Sequence, residues 1–585
     1  MCSDRLGRHI MLYMLVAGIC ILAMVDTCVF CYPSFSTTLL PDFLICCLSI
    51  VALSHIAMVR YAVNNSSVLF LFAWIAFVFI YSQFVPCEYY RLIYIVSTLL
   101  FAIDLICLYG NGWLKWLYVE NIFLVGAFLQ ILSILLQVTH CVPSGSEFFS
   151  VTGFCDNPSA TAIFLVSCLP FVVKRLNITK GNLKILYVVF FLIIFLAILA
   201  LKCRTAYVGS IIALSVSYYK QIKCQVQKIV VPYRMIVLFL FVVMFLFAGY
   251  SLYKMKINSS DGRIFIWKNS VQMVMEKPLG YGYGMFEKEY NLKQSAYFQN
   301  EKRDEKEVLL ANHVFMPYND TLEQCVEGGL IGALFYLMFY AIMICKSYKR
   351  KKYDTLAVAL CTLGMSMFNF LYTYPIVWLL LMCNYAEISI DEKKIKEEKT
   401  WLSRRAACAL ACLFCILIAV LLRKNLNFIK VQYQLKKANQ LLDKNIVVDA
   451  GYITSLKNDA STSELYYTSL AKNFLLSERY NRAIEALLVA KDYTSSPSVY
   501  LTLASCYARE GKTADAIQCV QIAKGIIPHH FFPEIILFRL YVQCEDGKKA
   551  MEQAHHILKK PIKVHSEKVN KIRNEVLKYI QAYEK

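Results

Sequence analysis

The chain has 585 residues, 58% of them apolar, with a mean hydropathy of +0.49. That excludes a disordered chain and a single soluble domain, because repeated apolar runs of roughly 17–25 residues are the length a helix needs to cross a bilayer. The net charge of +20 would fit nucleic acid, but the Lys and Arg sit in short connections between apolar runs, where membrane orientation accounts for them; no nucleic-acid partner is expected.

In chain order, hydropathy predicts spans near 10–31, 38–59, 67–85, 92–109, 120–139, 158–173, 184–201, 204–219, 234–253, 328–345, 354–371, 375–388 and 406–422. The fold class is therefore all-α: a polytopic membrane bundle of about 12–13 spans. Arg5 and Arg8 before the first run imitate a signal peptide, but the run is too long and no small-residue cleavage site follows, so it reads as a retained span. With the N-terminus on the cytoplasmic side, the dense basic clusters, KQIKCQVQK and KSYKRKK among them, fall on inner connections. The same alternation places the 254–327 loop, Arg204 in a tight hairpin, and everything after 422 on the outer face. In a bacterial inner membrane that face is periplasmic.

The domains read as 1–422, membrane, with 254–327 as its large loop; 423–462, a helical linker; and 463–585, a repeat region. In that last region Tyr467, Ala471, Ala483, Leu487 and Ala490 recur about 33 residues later as Tyr500, Ala504, Ala516, Val520 and Ala523. Leu537, Phe538, Tyr541, Ala550 and Ala554 form a weaker third set. Small residues at this period resemble the tetratricopeptide pattern, an α-solenoid of paired helices that binds a protein partner.

Many of the 23 cysteines lie inside apolar runs, where Cys acts as a small hydrophobe. The two Cys-x-x-Cys runs, Cys28–Cys31 and Cys412–Cys415, lie within apolar spans, so no metal site is expected, and no cofactor motif is present. Cys141 and Cys155 bracket one outer loop and are candidates for a disulfide if their Cα atoms approach.

The residues that offer chemistry lie on the outer face. Arg204 stands in LKCRTAYVG beside Lys202, where cations are otherwise scarce; it is either a snorkelling anchor or a phosphate ligand. Arg263 follows Asp261 and Gly262 at the start of a helix-like run; it either pairs with Asp261 or faces an anion. Gly282 and Tyr283, in KPLGYGYGMF, offer close backbone approach and an aromatic sugar face. His313 is the natural general base of the loop. Asn319, Glu323 and Glu327 follow before the next span. Two arginines with a His or carboxylate would bind a diphosphate and deprotonate a hydroxyl. Asp26, Asp104 and His55 are the sparse ionisable groups within spans, and they open a second possibility, a glycolipid exporter.

These motifs resemble the O-antigen ligase and polymerase superfamily, over roughly 120–390. The resemblance rests on TGFCDNPSATA (Thr152–Ala162), CRTAYVGS (Cys203–Ser210), GR…W followed by PLGYGYGMF, and EGGLIG (Glu327–Gly332), in that order. It implies a membrane glycosyltransferase that moves a glycan from a polyprenyl-diphosphate carrier to an acceptor hydroxyl at the periplasmic face, without metal or nucleotide. Arg204 and Arg263 would engage the diphosphate. The acceptor would be lipid A core, another glycan or a protein. The family typically shows His, then Asn, Ser or Gln, then nine residues, then GxxG; here Tyr318 stands at the His position and His313 five residues upstream. Either His313 serves, or Tyr318 with a nearby carboxylate replaces it. The non-enzyme alternative is a membrane-anchored scaffold whose repeats do the work.

Overall fold

The computed structural model describes residues 2–24, 33–55, 58–59, 61–62, 65–146, 148–228, 250, 253–254, 257–300, 304–390, 403–457 and 464–583. Every regular element among them is helical. The membrane part comprises α1 (Cys2–Met24), α2 (Pro33–Leu53), α3 (Ser66–Phe84), α4 (Tyr89–Gly110), α5 (Trp116–Val138), α6 (Pro158–Ile178), α7 (Asn182–Ala200), α8 (Arg204–Ser217) and α9 (Tyr219–Lys228). The large loop carries α10 (Ile257–Glu276), α11 (Phe286–Asn300), α12 (Glu305–Leu310) and α13 (Asp320–Glu327). The chain then returns through α14 (Gly329–Lys349), α15 (Tyr353–Ser366) and α16 (Pro375–Ser389).

Twelve of the thirteen expected spans overlap described helices; the other, 234–253, lies almost wholly outside the described residues, as does Asp26. Among the described residues seven helices are long and apolar enough to cross a membrane, and α1, α2 and α16 contribute shorter apolar stretches. The α8 and α15 helices have only 14 residues each, about 21 Å at 1.5 Å per residue. They compensate by packing on each other through small residues: a methyl on Gly209 would collide with Met365, and one on Gly364 would lie 2.9 Å from Ile212. The α4 and α16 helices are buried nearly all round and form the centre of the bundle.

Two buried carboxylates inside the bundle each take a hydroxyl from a neighbouring helix. Asp104 accepts from Ser49 at 2.5 Å, joining α4 to α2, and Asp42 accepts from Ser97. Asp104, weighed above as part of a transport relay, is thus a bond between two helices.

The connections sort into two ends. At one, Lys174 and Arg175 both meet the buried Glu120, and Lys174 also meets Asp354 at 2.8 Å; Lys352 meets Glu387 at 2.5 Å; Asn65 donates to Ser389 O at 2.9 Å. At the other, residues 86–91, 202–204 and 367–374 each touch the large loop, as described below. This is the division that alternating spans require.

The last expected span, 406–422, and the first part of the helical linker after it share one helix, α17 (Arg404–Leu442), of 39 residues, about 59 Å long. Beyond α18 (Ala450–Ser455) come α19 (Glu464–Leu476), α20 (Tyr480–Ala490), α21 (Pro497–Arg509), α22 (Thr513–Ile526), α23 (Phe532–Gln543), α24 (Gly547–Lys559) and α25 (Glu567–Tyr583). Successive helices pack in pairs, with Ala471, Ala483, Ala490, Ala504, Ala516, Ala523, Ala550 and Ala554 buried between them. Glu534, at the third pair, is fully buried; burial raises its pKa, but Lys560, Lys524 and His556 around it win and hold it at about 2.

Candidate functional site

Three segments build a cationic corner at the loop-rich end. The hairpin between α7 and α8 is so tight that Lys202 takes a left-handed backbone, φ 50°. It starts α8 at Arg204, whose Nη1 donates to Ser260 Oγ on α10 at 3.0 Å. One helical turn beyond Ser260 stands Arg263, half-buried. Its Nη1 donates to Phe368 O at 2.5 Å and its guanidinium lies over the Tyr318 ring, 4.9 Å from the centroid. Burial lowers the Arg263 pKa; Tyr318 opposes this, and the charge of Arg204 adds to it. The two guanidiniums therefore feel one another.

Asp261 does not neutralise them. It accepts from Tyr253 at 2.6 Å and pairs with Lys306 at 2.7 Å. Among the described residues no carboxylate lies within ion-pair distance of Arg263. Lys202 is exposed, and its side chain makes no described contact with the corner.

Tyr318 also has positive φ, 56°. Its ring meets Phe370 edge-on at 5.3 Å, and Phe370 packs on Tyr374 at 4.9 Å. Trp267, one turn past Arg263, donates to Pro317 O at 2.8 Å, fixing the residue before Tyr318. Tyr374 was not anticipated. Its hydroxyl is buried without a hydrogen-bond partner among the described residues. Burial raises its pKa, and Cys155, Asp156, Cys203 and Tyr318 push the same way. Groups of the TGFCDN loop, the hairpin and the Tyr318 segment thus all bear on one phenol electrostatically. Its only sequence signal is YTYP at the mouth of a span.

The other expected residues lie elsewhere. His313 Nε2 bonds Glu287 Oε1 at 2.5 Å, and its ring meets Phe315. Asn319 caps α13, accepting from Leu322 N at 3.0 Å. Glu323 is buried and bonded to Arg91; Arg91 also reaches Glu327 at 3.7 Å and lies over the Tyr372 ring at 4.6 Å. Burial pushes both glutamates up, and Arg91 pulls both down. Asp320 accepts from Tyr372 N at 3.1 Å and Tyr336 at 3.3 Å, closing a buried brace under the corner.

Gly282 and Tyr283 belong to the frame. Tyr281 N and Gly282 N donate to Val326 O (2.8 Å) and Glu327 O (2.9 Å), so the Gly-rich loop is zipped to the end of α13. Gly282 has φ +117°, and an added methyl would collide with the Pro86 carbonyl. Tyr283 is fully buried, edge-on to Tyr81. No group of His, Cys, Asp and Glu among the described residues has the arrangement to hold a metal ion.

Residues 189–337 match the family model described as O-antigen ligase. The matched stretch runs from α7 through the hairpin, α10 and the large loop into α14, so it contains Arg204, Arg263 and Tyr318; Tyr374 and Arg91 lie outside it. No curated protein matches the chain.

Proposed function

We propose that this corner binds the diphosphate of a lipid-linked glycan and that the chain transfers the glycan to an acceptor hydroxyl, as an inverting glycosyltransferase of O-antigen ligase type in surface-polysaccharide synthesis. The observation that carries this reading is the pairing of Arg204 and Arg263 across Ser260 and Tyr318, with no carboxylate of the described residues on Arg263. Guanidinium groups suit phosphate oxygens by geometry and stay charged. Held in place before the reaction, they stabilise the charge that develops on the departing diphosphate. The Tyr374 hydroxyl supplies a neutral donor to the same oxygens. Ser260 positions Arg204.

The acceptor hydroxyl attacks the anomeric carbon, the bond to the diphosphate oxygen breaks, and the acceptor proton goes to a base. Tyr318 stands at the corner; His313 is tied to Glu287. A diphosphate leaving group asks little of the base, and Tyr318 serves mainly to seat Arg263. The family match supports the ligase or polymerase class. Span alternation and basic-residue placement support a bacterial inner membrane with the site and the helix pairs in the periplasm. The 33-residue recurrence of buried alanines supports a tetratricopeptide-like region that receives a protein partner.

The test is surface glycan and glycoprotein in cells lacking the gene, complemented with wild type, Arg204→Ala, Arg263→Ala or Tyr318→Phe at equal protein level. Loss of glycan transfer in both arginine strains is expected. Normal glycans in the Arg263→Ala strain would overturn the reading. The glycan-deficient acceptor separates ligase from polymerase and from protein O-oligosaccharyltransferase. A strain in which only damage to the helix pairs matters would point to the scaffold instead.

A further inference from the structure

Between α12 and α13 the chain runs from Ala311 to Asn319 without regular structure, so side chains must set its path to Tyr318. Its first three residues are tied to the C-terminal helix pairs, Ala311 directly and Asn312 and His313 through α11. His529 Nδ1 bonds Ala311 O at 2.9 Å. Gln294 Nε2, on α11, donates to Asn312 O at 2.8 Å and to Ile526 O, the last residue of α22, at 2.7 Å. Glu287, also on α11, bonds His313 and accepts from Ser495 Oγ at 2.8 Å, Ser495 N at 3.2 Å and Thr494 Oγ1 at 3.3 Å, in the turn between α20 and α21. Asn291 then holds Val314 by both N and O at 2.9 Å. The contact between α11 and α22 is close: Ser295 donates to Ile522 O at 2.9 Å, and a methyl on Gly525 would lie 2.5 Å from Ser295 Oγ.

We infer that the C-terminal helix pairs position the segment that carries Tyr318, with Glu287, Gln294 and His529 as the positioning residues. This rests on the transferase reading above. Gln294 and Glu287 each bond the segment and the helix pairs at once, and His529 reaches the segment directly from the helix pairs. Gln294 spends one amide on two carbonyls, and Glu287 divides its carboxylate between a ring nitrogen and a turn. The segment therefore cannot keep its path if the helix pairs shift, and the helix pairs cannot shift without leaving these groups unmade. The bonded role of His313 is to join that brace. Small displacements of a reacting geometry are costly, on the order of 100-fold for about 1 Å, so the brace acts on turnover.

The experiment uses the full chain in lipid nanodiscs, as wild type and as Glu287→Gln, Gln294→Leu and His529→Gln. Amide exchange of 311–318 is read beside that of α4 and α16, and donor kinetics are measured on a polyprenyl-diphosphate glycan. Faster exchange confined to 311–318 and the α11–α22 contact is expected in Gln294→Leu. Turnover should fall about 10–100-fold with the donor KM within about twofold. The His529→Gln variant, which keeps a donor for Ala311 O, should retain near wild-type behaviour. Unchanged exchange of 311–318 in both Gln294→Leu and Glu287→Gln would overturn the inference, as would a loss that appears wholly in KM. The exchange arm stands whether or not glycan is transferred. Full activity of Arg263→Ala would sink the transferase reading alone.

Discussion

Arg263 lies over the ring of Tyr318, its guanidinium carbon 4.9 Å from the centroid, while Asp261, two residues before it, pairs with Lys306. A cation this close in sequence to a carboxylate is thus balanced by an aromatic face and a backbone carbonyl. That leaves its positive charge available to an anionic ligand.

Replacing Arg263 with Ala removes that charge and should lower turnover by on the order of 100-fold or more, the scale of losing one preorganised donor to a developing anion. Arg263→Lys should recover only part, because an ammonium cannot present the fork. Asp261→Asn should stay within about twofold of wild type. Steady-state transfer assays on purified protein check all three.

Tyr318 separates ring from hydroxyl. Tyr318→Phe keeps the face beneath Arg263 and should retain most activity if the phenol is not the base. Tyr318→Ala should lose more, through Arg263. Tyr318→Ile should be the least stable, since φ 56° is strained for a β-branched side chain, by about 1–3 kcal/mol. Melting temperature and activity, measured together, rank the three.

Arg91 bears on stability. Arg91→Ala leaves Glu323 and Glu327 buried without their cation. Breaking such a pair costs about 3–5 kcal/mol, so less folded protein should be recovered from membranes. Partial recovery of yield in Arg91→Ala/Glu323→Gln would identify the orphaned charge as the cause.

Gly282→Ala should be recovered poorly for a different reason: its φ of +117° and its contact with Pro86 both exclude a side chain. The expected readout is accelerated proteolysis within 277–286, since the zipper to α13 starts there.

Acid should loosen the helix pairs from the Tyr318 segment. Burial pushes the His529 pKa down to about 4, with Lys563, His530 and Lys560 acting in the same direction and the bond to Ala311 O opposing. An undocked imidazole protonates near 6.5. The docked form therefore holds fewer protons between these values, and its advantage is whole above about pH 6.5 and lost progressively as pH falls toward 4. Amide protection of 311–318 should drop between pH 7 and pH 5 after correction for intrinsic exchange, and in His529→Gln this drop should vanish.

The helices were legible because a span announces itself locally, by an apolar run between charged or turn residues. Even the 14-residue α8 and α15 showed. The common face was legible too, because alternation fixes it: Arg204, Arg263 and Tyr318 sit at one end as expected. What was not legible is who meets whom. Arg91 and Glu323 are 232 residues apart, so Glu323 read as an open polar group. Asp261 stood as one of two possibilities for Arg263 because it is two residues away in the chain, and Lys306 takes it. Gly282 and Tyr283 read as a binding loop, and only the approach of Pro86 and α13 shows that this loop is enclosed. Tyr374 was passed over because a tyrosine beside a proline is unremarkable until its hydroxyl is found buried and unbonded.

The path from Ala311 to Asn319 is held by individual side-chain hydrogen bonds from Asn291, Gln294, Glu287, Trp267 and His529, each worth about 1 kcal/mol. The helices around it are held by continuous packing. Segments of the first kind open at lower free energy than those of the second. On warming, the catalyst would fall silent while its spectrum still looked native, and cooling would restore it: heat would switch the machine off before it took the machine apart.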